Sequence, residues 1–164
     1  MNMNKYIKFE IISTICVMCL GVLLHFTYEL SNKNFIISLF SSTNESVWEH
    51  LKLLFFPYFL FILIGHTIFK SEYPNYINFK TLGLLTGLFF IVIFYYTYTG
   101  IIGKNFAFID ISSFFIAVII SQVTAFKNKS NLNFKPVYSI VFLLILTCLF
   151  LIFTFFPPNI GLFQ

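Results

Sequence analysis

Apolar residues form long runs along the chain, and short polar segments separate these runs. Five of the runs reach about the 20 residues that a helix needs to cross a membrane. The predicted spans are 6–28, 46–69, 81–98, 108–126 and 137–155. None of them carries the polar face that a helix of a soluble protein turns toward water. The pattern therefore predicts an all-α fold, an integral membrane helical bundle that forms a single transmembrane domain over residues 1–164.

The polar segments predict details of the connections between spans. Residues 31–43 contain an apolar run that is too short to cross a membrane, and two structures fit it, an interfacial helix and a re-entrant dip. The second span is predicted to begin at Ser46, because Ser46 and Glu49 have the spacing of a capping box. Pro57 inside that span predicts a kink, because proline removes a helix hydrogen bond.

The composition agrees with a membrane protein, since 59% of the residues are hydrophobic and the mean hydropathy is +0.89. The net charge of +4 comes from lysine without arginine, and the lysines are dispersed rather than gathered into a patch that would bind nucleic acid. The expected partner is therefore membrane lipid and not nucleic acid. Abundant Phe, Ile, Asn and Lys without Arg indicate an AT-rich bacterial genome, so the bacterial cytoplasmic membrane is the expected location.

The lysines also predict the orientation of the spans. Seven lie on the side of the N-terminus, namely Lys5, Lys8, Lys70, Lys80, Lys127, Lys129 and Lys135. Three lie on the opposite side, namely Lys33, Lys52 and Lys104. Because cytoplasmic loops are enriched in lysine, the N-terminus is predicted to lie inside and the C-terminus outside. Glu10, near the inner end of the first span, is expected to reach toward the membrane interface.

The predicted outer end of the bundle collects most of the residues that can carry chemistry. Four of the six acidic residues and two of the three histidines are expected there. His25 and Glu29 share one face of the first span, because they are four residues apart. The candidate metal ligands are His25, Glu29, Glu49, His50 and Asp110. Such nitrogen and oxygen ligands suit a divalent transition metal such as Zn²⁺, although no motif identifies the cofactor.

A catalytic hypothesis follows from such a metal, because metal-bound water loses a proton near neutral pH and can attack an ester or amide presented from the membrane. The candidate catalytic residues are Glu45, Glu49 and Lys52. A spare glutamate would be the general base, and Lys52 or a tyrosine hydroxyl would stabilise the oxyanion. Helical spacing places the three candidates on one face, whereas His50 points about 100° away from Glu49. Whether His50 faces the site is left open by this spacing.

Other interpretations of the same residues stay open. Polar groups at helix ends cost little free energy because water and headgroups are near, so a structural role fits as well. The chain contains no HExxH, GxSxG or cysteine-rich zinc motif. Besides a metal-dependent membrane hydrolase or lipid-modifying enzyme, the sequence is compatible with a non-catalytic binder or transporter of a cation or small solute. An accessory subunit of a larger membrane complex is a third interpretation.

The run from Asn44 to Lys52, Asn-Glu-Ser-Val-Trp-Glu-His-Leu-Lys, resembles a signature of a family of small multispanning bacterial membrane proteins of unknown function. The segments around His25 and Thr154 are similar to the same family, so the resemblance extends over the whole chain. It implies that these polar residues belong together, which favours a functional site over a structural role. It implies no particular activity, cofactor or substrate.

Overall fold

The computed structural model describes residues 3–130, 132 and 134–163 of the chain. The described residues form six α-helices and a C-terminal 3-10 turn, without β-strands. The helices are α1 (Met3–Leu30), α2 (Phe35–Ser38), α3 (Val47–Phe69), α4 (Tyr76–Ile102), α5 (Ala107–Lys127) and α6 (Pro136–Phe155), and the 3-10 turn is Gly161–Phe163. All except the short α2 are long and apolar enough to cross a membrane, which confirms the predicted all-α bundle with five spans.

The largest difference from the predicted spans is at α4, which extends beyond residues 81–98 at both ends. Its first turn, from Tyr76, is buried against the other helices although it includes the polar residues Asn78 and Lys80. Its last turn ends at Gly103, whose φ of 82° is the left-handed conformation that commonly terminates a helix. A loop of only a few residues then leads into α5.

Helices α4 and α5 make the most extensive contact in the bundle, and small residues bring their backbones together. A Cβ atom at Gly83 would lie 2.3 Å from the carbonyl oxygen of Ser121, and one at Gly87 would lie 2.0 Å from the Ser121 hydroxyl. This spacing of two glycines against small residues of a neighbour is typical of helix packing in membranes. Helix α3 packs against both α1 and α4 and so lies at the centre of the bundle.

The outward faces of the spans carry large apolar side chains. Ile12 and Leu23 of α1, Phe89 of α4 and Ile145 of α6 are each more than half exposed. In water such surfaces would be unfavourable, whereas in a bilayer they contact lipid chains that are as apolar as they are. The bundle is therefore compatible with direct lipid contact around its perimeter.

The residues that follow α6 fold back onto the start of α3. The ring of Phe163 lies 4.9 Å from that of Trp48, and Phe150 of α6 lies 4.6 Å from Trp48 on another side. Trp48 is 8% exposed as a result. This aromatic cluster joins α3, α6 and the C-terminal turn at one end of the bundle, which we call the His25 end because it includes His25 of α1.

At the opposite end, called here the Glu10 end, the structure corrects one prediction. Glu10 does not reach toward the membrane interface, because its carboxylate lies 2.7 Å from the ammonium nitrogen of Lys80 and its side chain is 12% exposed. Lys80 also donates a hydrogen bond of 2.6 Å to Gln122, and the Tyr76 hydroxyl donates to the other oxygen of Glu10 at 3.1 Å. The network joins α1, α4 and α5 and satisfies the buried charges that would otherwise be costly.

Candidate functional site

A cavity of about 210 Å³ opens at the His25 end, between α1, α3, α4 and α5. Most of its wall is apolar, and its polar side chains are gathered toward the helix ends. The polar or ionisable lining residues are His25, Glu45, His50, Tyr95, Asn105, Asp110 and Ser113. The cavity therefore places titratable groups beside an apolar volume, which is the usual character of a binding site for a small organic molecule.

Three of these side chains, His25, Glu45 and His50, converge closely. One potential ligand atom from each lies within 4.8 Å of the other two. Nε2 of His50 is 3.4 Å from a carboxylate oxygen of Glu45, and the ring centroids of His25 and His50 are 5.2 Å apart. The three residues come from α1, the α2–α3 connector and α3, so the tertiary fold rather than local sequence brings them together.

The ring of His50 is oriented by its own helix. Its Nδ1 lies 2.9 Å from the carbonyl oxygen of Ser46, one turn earlier. Because a carbonyl oxygen can only accept, the Nδ1 carries the proton in this hydrogen bond. In the neutral imidazole the lone pair is then on Nε2, which is the nitrogen that faces Glu45. A backbone carbonyl that fixes the tautomer in this way is a common partner of metal-binding histidines.

His25 has a different environment. Its Nδ1 is buried and has no hydrogen-bond partner among the described residues. Buried polar atoms in native proteins are nearly always paired, so this ring nitrogen has hydrogen-bonding capacity that a ligand could use. The neighbouring Phe26 covers part of the ring, at a centroid distance of 4.9 Å.

The connector that carries Glu45 is shaped by a variation on the predicted capping box. The Ser46 hydroxyl accepts the backbone N–H of Glu49 at 3.4 Å, as predicted. The reciprocal bond is made by Asn44 instead of Glu49, since the Asn44 side-chain oxygen accepts the N–H of Ser46 at 2.9 Å. Helix α3 begins at Val47, so Glu45 precedes it and does not share a helix face with Glu49. This is why Glu45 and His50 can meet, a point that the helical spacing left open.

Glu49 takes no part in the reciprocal bond of a capping box. Its side chain points into the bundle and forms an ion pair with Lys52. The two charged groups are 2.7 Å apart, with side chains 3% and 0% exposed. The Glu49 carboxylate also accepts the N–H and the hydroxyl of Thr43, at 2.8 and 2.9 Å. Lys52 donates to the carbonyl of Ser38 at 2.9 Å and to the hydroxyl of Thr154 at 3.0 Å. These bonds use the three donors of the ammonium group and connect α2, α3 and α6.

A second anchor fixes the connector against α1 close to His25. The Ser41 hydroxyl donates to the carbonyl of Leu24 and accepts the N–H of Tyr28 at 3.1 Å. The Thr27 hydroxyl donates to the same Ser41 oxygen at 3.1 Å. The connector is thus held just before Glu45, at Ser41 by α1 and at Thr43 by the Glu49 carboxylate.

Asp110 of α5 also lines the cavity. The Tyr98 hydroxyl of α4 donates a hydrogen bond to its carboxylate and also accepts the N–H of Phe106 at 3.3 Å. Tyr98 is 8% exposed, so the hydroxyl is held by packing as well as by these two bonds. The arrangement fixes one carboxylate oxygen of Asp110 at the cavity wall.

The remaining residues that the sequence proposed for the site lie elsewhere. Glu29 is largely exposed and lies 3.8 Å from Lys33 on the surface of the same end. Glu49 and Lys52 are inside the bundle against each other, and neither lines the cavity. The structure therefore brings together His25, Glu45 and His50, with Asp110 in the same cavity.

The residues that sequence reasoning missed are the small polar ones that hold these groups in place. Ser38, Ser41 and Thr43 lie in a segment that was interpreted only as a connector, and Thr154 lies in the last turn of an apolar span. A hydroxyl in such places is common and gives no signal by itself. For Thr154 the one available signal was the resemblance of the C-terminal segment to a known family.

No curated protein and no solved structure matches the chain. A family model does match, and it is described as a family of unknown function, DUF6512. The match covers residues 1–164, so it includes every residue of the cavity and of the Glu49–Lys52 network. The chain therefore belongs to the DUF6512 family.

Proposed function

We propose that the protein binds a divalent transition metal ion such as Zn²⁺ through His25, Glu45 and His50. The observation that supports this most is the convergence of one ligand atom from each residue within 4.8 Å. With bonds of about 2.0–2.1 Å, ligand atoms in a tetrahedral zinc site lie roughly 3.3 Å apart. The His50–Glu45 separation of 3.4 Å already has this value, so closing the site around an ion requires His25 to approach these two residues from within 4.8 Å.

Two histidines and one carboxylate form a ligand set that occurs in catalytic zinc sites and leaves coordination positions open. When bound, such an ion polarises a carbonyl group and makes a water molecule nucleophilic at neutral pH. The reaction we propose is therefore hydrolysis of an ester or amide bond in a substrate that reaches the site from the membrane.

In this reaction Asp110 is the proposed general base. Its carboxylate would accept a proton from the attacking water, and Tyr98 would hold the carboxylate in position by its hydrogen bond. The hydroxide adds to the carbonyl carbon, the bond to the alkoxy or amino group breaks, and Asp110 returns the proton to the leaving group. The products are a carboxylic acid and an alcohol or amine.

Three of the candidate residues have no role in this reaction because each already pairs with another side chain, namely Glu29, Glu49 and Lys52. Glu49 and Lys52 neutralise each other, and rotating either side chain into the cavity would leave its partner charged, buried and unpaired. Glu29 pairs with Lys33 outside the cavity. None of the three is available without breaking interactions that the structure already makes.

A transporter of a cation is less well supported by the interior of the bundle. Val17 of α1, Leu54 of α3 and Leu84 of α4 are fully buried and lie between the two polar ends. An ion at the His25 end would have to pass this apolar layer to reach the Glu10 network, at a large desolvation cost. A site that works at one face of the membrane agrees better with this arrangement.

The test is metal analysis of the protein purified in detergent, after loading with zinc, manganese or iron and removal of free metal. We expect near-stoichiometric metal in the wild type and its loss in H25A and H50A. The matched control is H66A, because His66 is a partly buried histidine at the other end of α3. A folded wild type that retains none of these metals would exclude the proposal. With metal retained, hydrolysis of a panel of lipid esters and amides tests the reaction.

A further inference from the structure

The cavity has a buried apolar wall below its polar end. Leu53 of α3 and Ile91 of α4 form this wall and are 6% and 7% exposed. Phe114 of α5 closes it against Gly21 of α1, where a Cβ atom would lie 2.3 Å from the aromatic ring. Gly21 is one helical turn from His25, so the apolar part extends about 6 Å from the metal-ligand cluster toward the middle of the span.

The rim of the cavity is part of the surface that faces lipid. Val22, Phe26 and Ile111 line the cavity and are 38%, 54% and 55% exposed on the outside of the bundle. In a membrane, exposed apolar side chains of spanning helices contact acyl chains. Part of the cavity lining therefore belongs to the lipid-facing surface of α1 and α5.

We infer that this cavity binds an acyl chain of a membrane glycerolipid, with the ester carbonyl of the chain beside His25, Glu45 and His50. The apolar wall suits the chain, and the polar end lies where the chain joins its headgroup. The placement of the carbonyl rests on the proposed function, since it makes the lipid ester the substrate. Binding of the chain rests on the cavity alone and does not need the metal.

The size of the cavity limits how much of a lipid it holds. At about 210 Å³ it is larger than a 150 Å³ protein cavity that accommodates the six carbons of benzene, which suggests room for about eight carbons. Only the part of one chain next to the ester fits inside. The remainder of that chain, and any second chain, would stay in the bilayer beyond the rim formed by Val22 and Ile111.

The experiment is photo-crosslinking of the metal-stripped protein, reconstituted in phosphatidylglycerol vesicles. The probe is a phosphatidylglycerol analogue with a diazirine near about the sixth acyl carbon, the depth that the cavity volume allows. Labelled peptides are mapped by mass spectrometry. We expect label on Leu53, Ile91 or Phe114, which line the inner wall of the cavity.

Two pairs of variants make the test specific. I111W and V22W fill the rim of the cavity, whereas I119W and L23W add the same side chain at exposed positions of α5 and α1 that do not line it. Label at the inner wall should fall at least about tenfold in the first pair, because a bulky ring displaces the apolar contacts of several methylene groups. It should stay at the wild-type level in the second pair.

The outcomes separate this inference from the metal proposal. Equal labelling of the inner wall in all four variants, or label confined to the outer faces of the helices, would overturn acyl-chain binding whatever the metal content. Loss of inner-wall label in I111W and V22W, in a protein that binds no metal, would support the lipid site while excluding the metal site. Zinc content of I111W is expected to equal that of I119W.

Discussion

The carboxylate of Glu49 lies 2.7 Å from the ammonium group of Lys52, and both side chains are almost completely buried. At this spacing along a helix such a pair is usually a surface feature that contributes little to stability. Here the pair is an internal junction, because its hydrogen bonds reach Ser38, Thr43 and Thr154. The pair links three parts of the fold, namely the connector that carries Glu45, the helix that carries His50, and α6.

We predict that E49Q strongly destabilises the protein, because it leaves the Lys52 ammonium buried without a counter-charge. Removal of one partner of a buried pair typically costs about 3–5 kcal/mol. The measurement is the free energy of unfolding in detergent. The control is E29Q, which breaks an exposed pair with Lys33 and should cost less than about 1 kcal/mol. A similar, small effect of both substitutions would show that the Glu49–Lys52 pair does not hold the bundle together.

We predict that T43V weakens metal binding without removing a ligand. The Thr43 hydroxyl donates to Glu49 at 2.9 Å, two residues before Glu45 in the chain, so its loss loosens the segment that positions the Glu45 carboxylate. Loss of a group that orients a ligand typically lowers metal affinity by about 10–100-fold. Affinity is measured by competition with a chromophoric chelator. T67V, at an exposed threonine of α3, is the control, and equal affinities of the two variants would contradict the prediction.

The fold was largely predictable from the sequence, whereas the site was predictable only in part. Five apolar runs of membrane-spanning length determine five helices with little ambiguity. The arrangement of the site depends on which side chain accepts a hydrogen bond from the Ser46 backbone N–H, that of Asn44 or that of Glu49. Asn44 takes it, so Glu49 turns inward and Glu45 remains beside His50. The two alternatives differ by a single hydrogen bond, and no periodicity in the sequence distinguishes between them.

We predict that D110N lowers the rate of hydrolysis while the protein still binds metal. General-base catalysis typically contributes about 10²–10⁴-fold to a rate, and an amide cannot accept the proton. Y98F should have a smaller effect, because it removes only the hydrogen bond that holds the carboxylate. The measurement is kcat for a lipid ester together with bound zinc. If D110N lost its metal as H50A does, Asp110 would be a ligand instead, as the sequence also allowed.

We predict that K80M destabilises the Glu10 end without affecting the metal site. The substitution leaves the carboxylate of Glu10 buried beside α4, where among the described residues the hydrogen bond from Tyr76 remains. A loss of about 3–5 kcal/mol is expected in unfolding measurements. The double variant E10Q/K80M should recover part of this loss, since it removes both charges. Metal affinity of folded K80M should equal that of wild type, because the fully buried Val17 and Leu54 lie between the two ends.

The buried lysines also sharpen the predicted orientation. Lys52 and Lys80 lie inside the bundle, so they are not counted as loop charges. Six of the seven lysines on the N-terminal side remain, against two of the three on the other side, and the prediction of an inside N-terminus is maintained. A phosphatase fused to the C-terminus, which is active only outside the cytoplasm, should be active, and a fluorescent protein that folds only in the cytoplasm should be dark there. The opposite result would place the His25 cavity at the cytoplasmic face, where it would meet lipids of the inner leaflet.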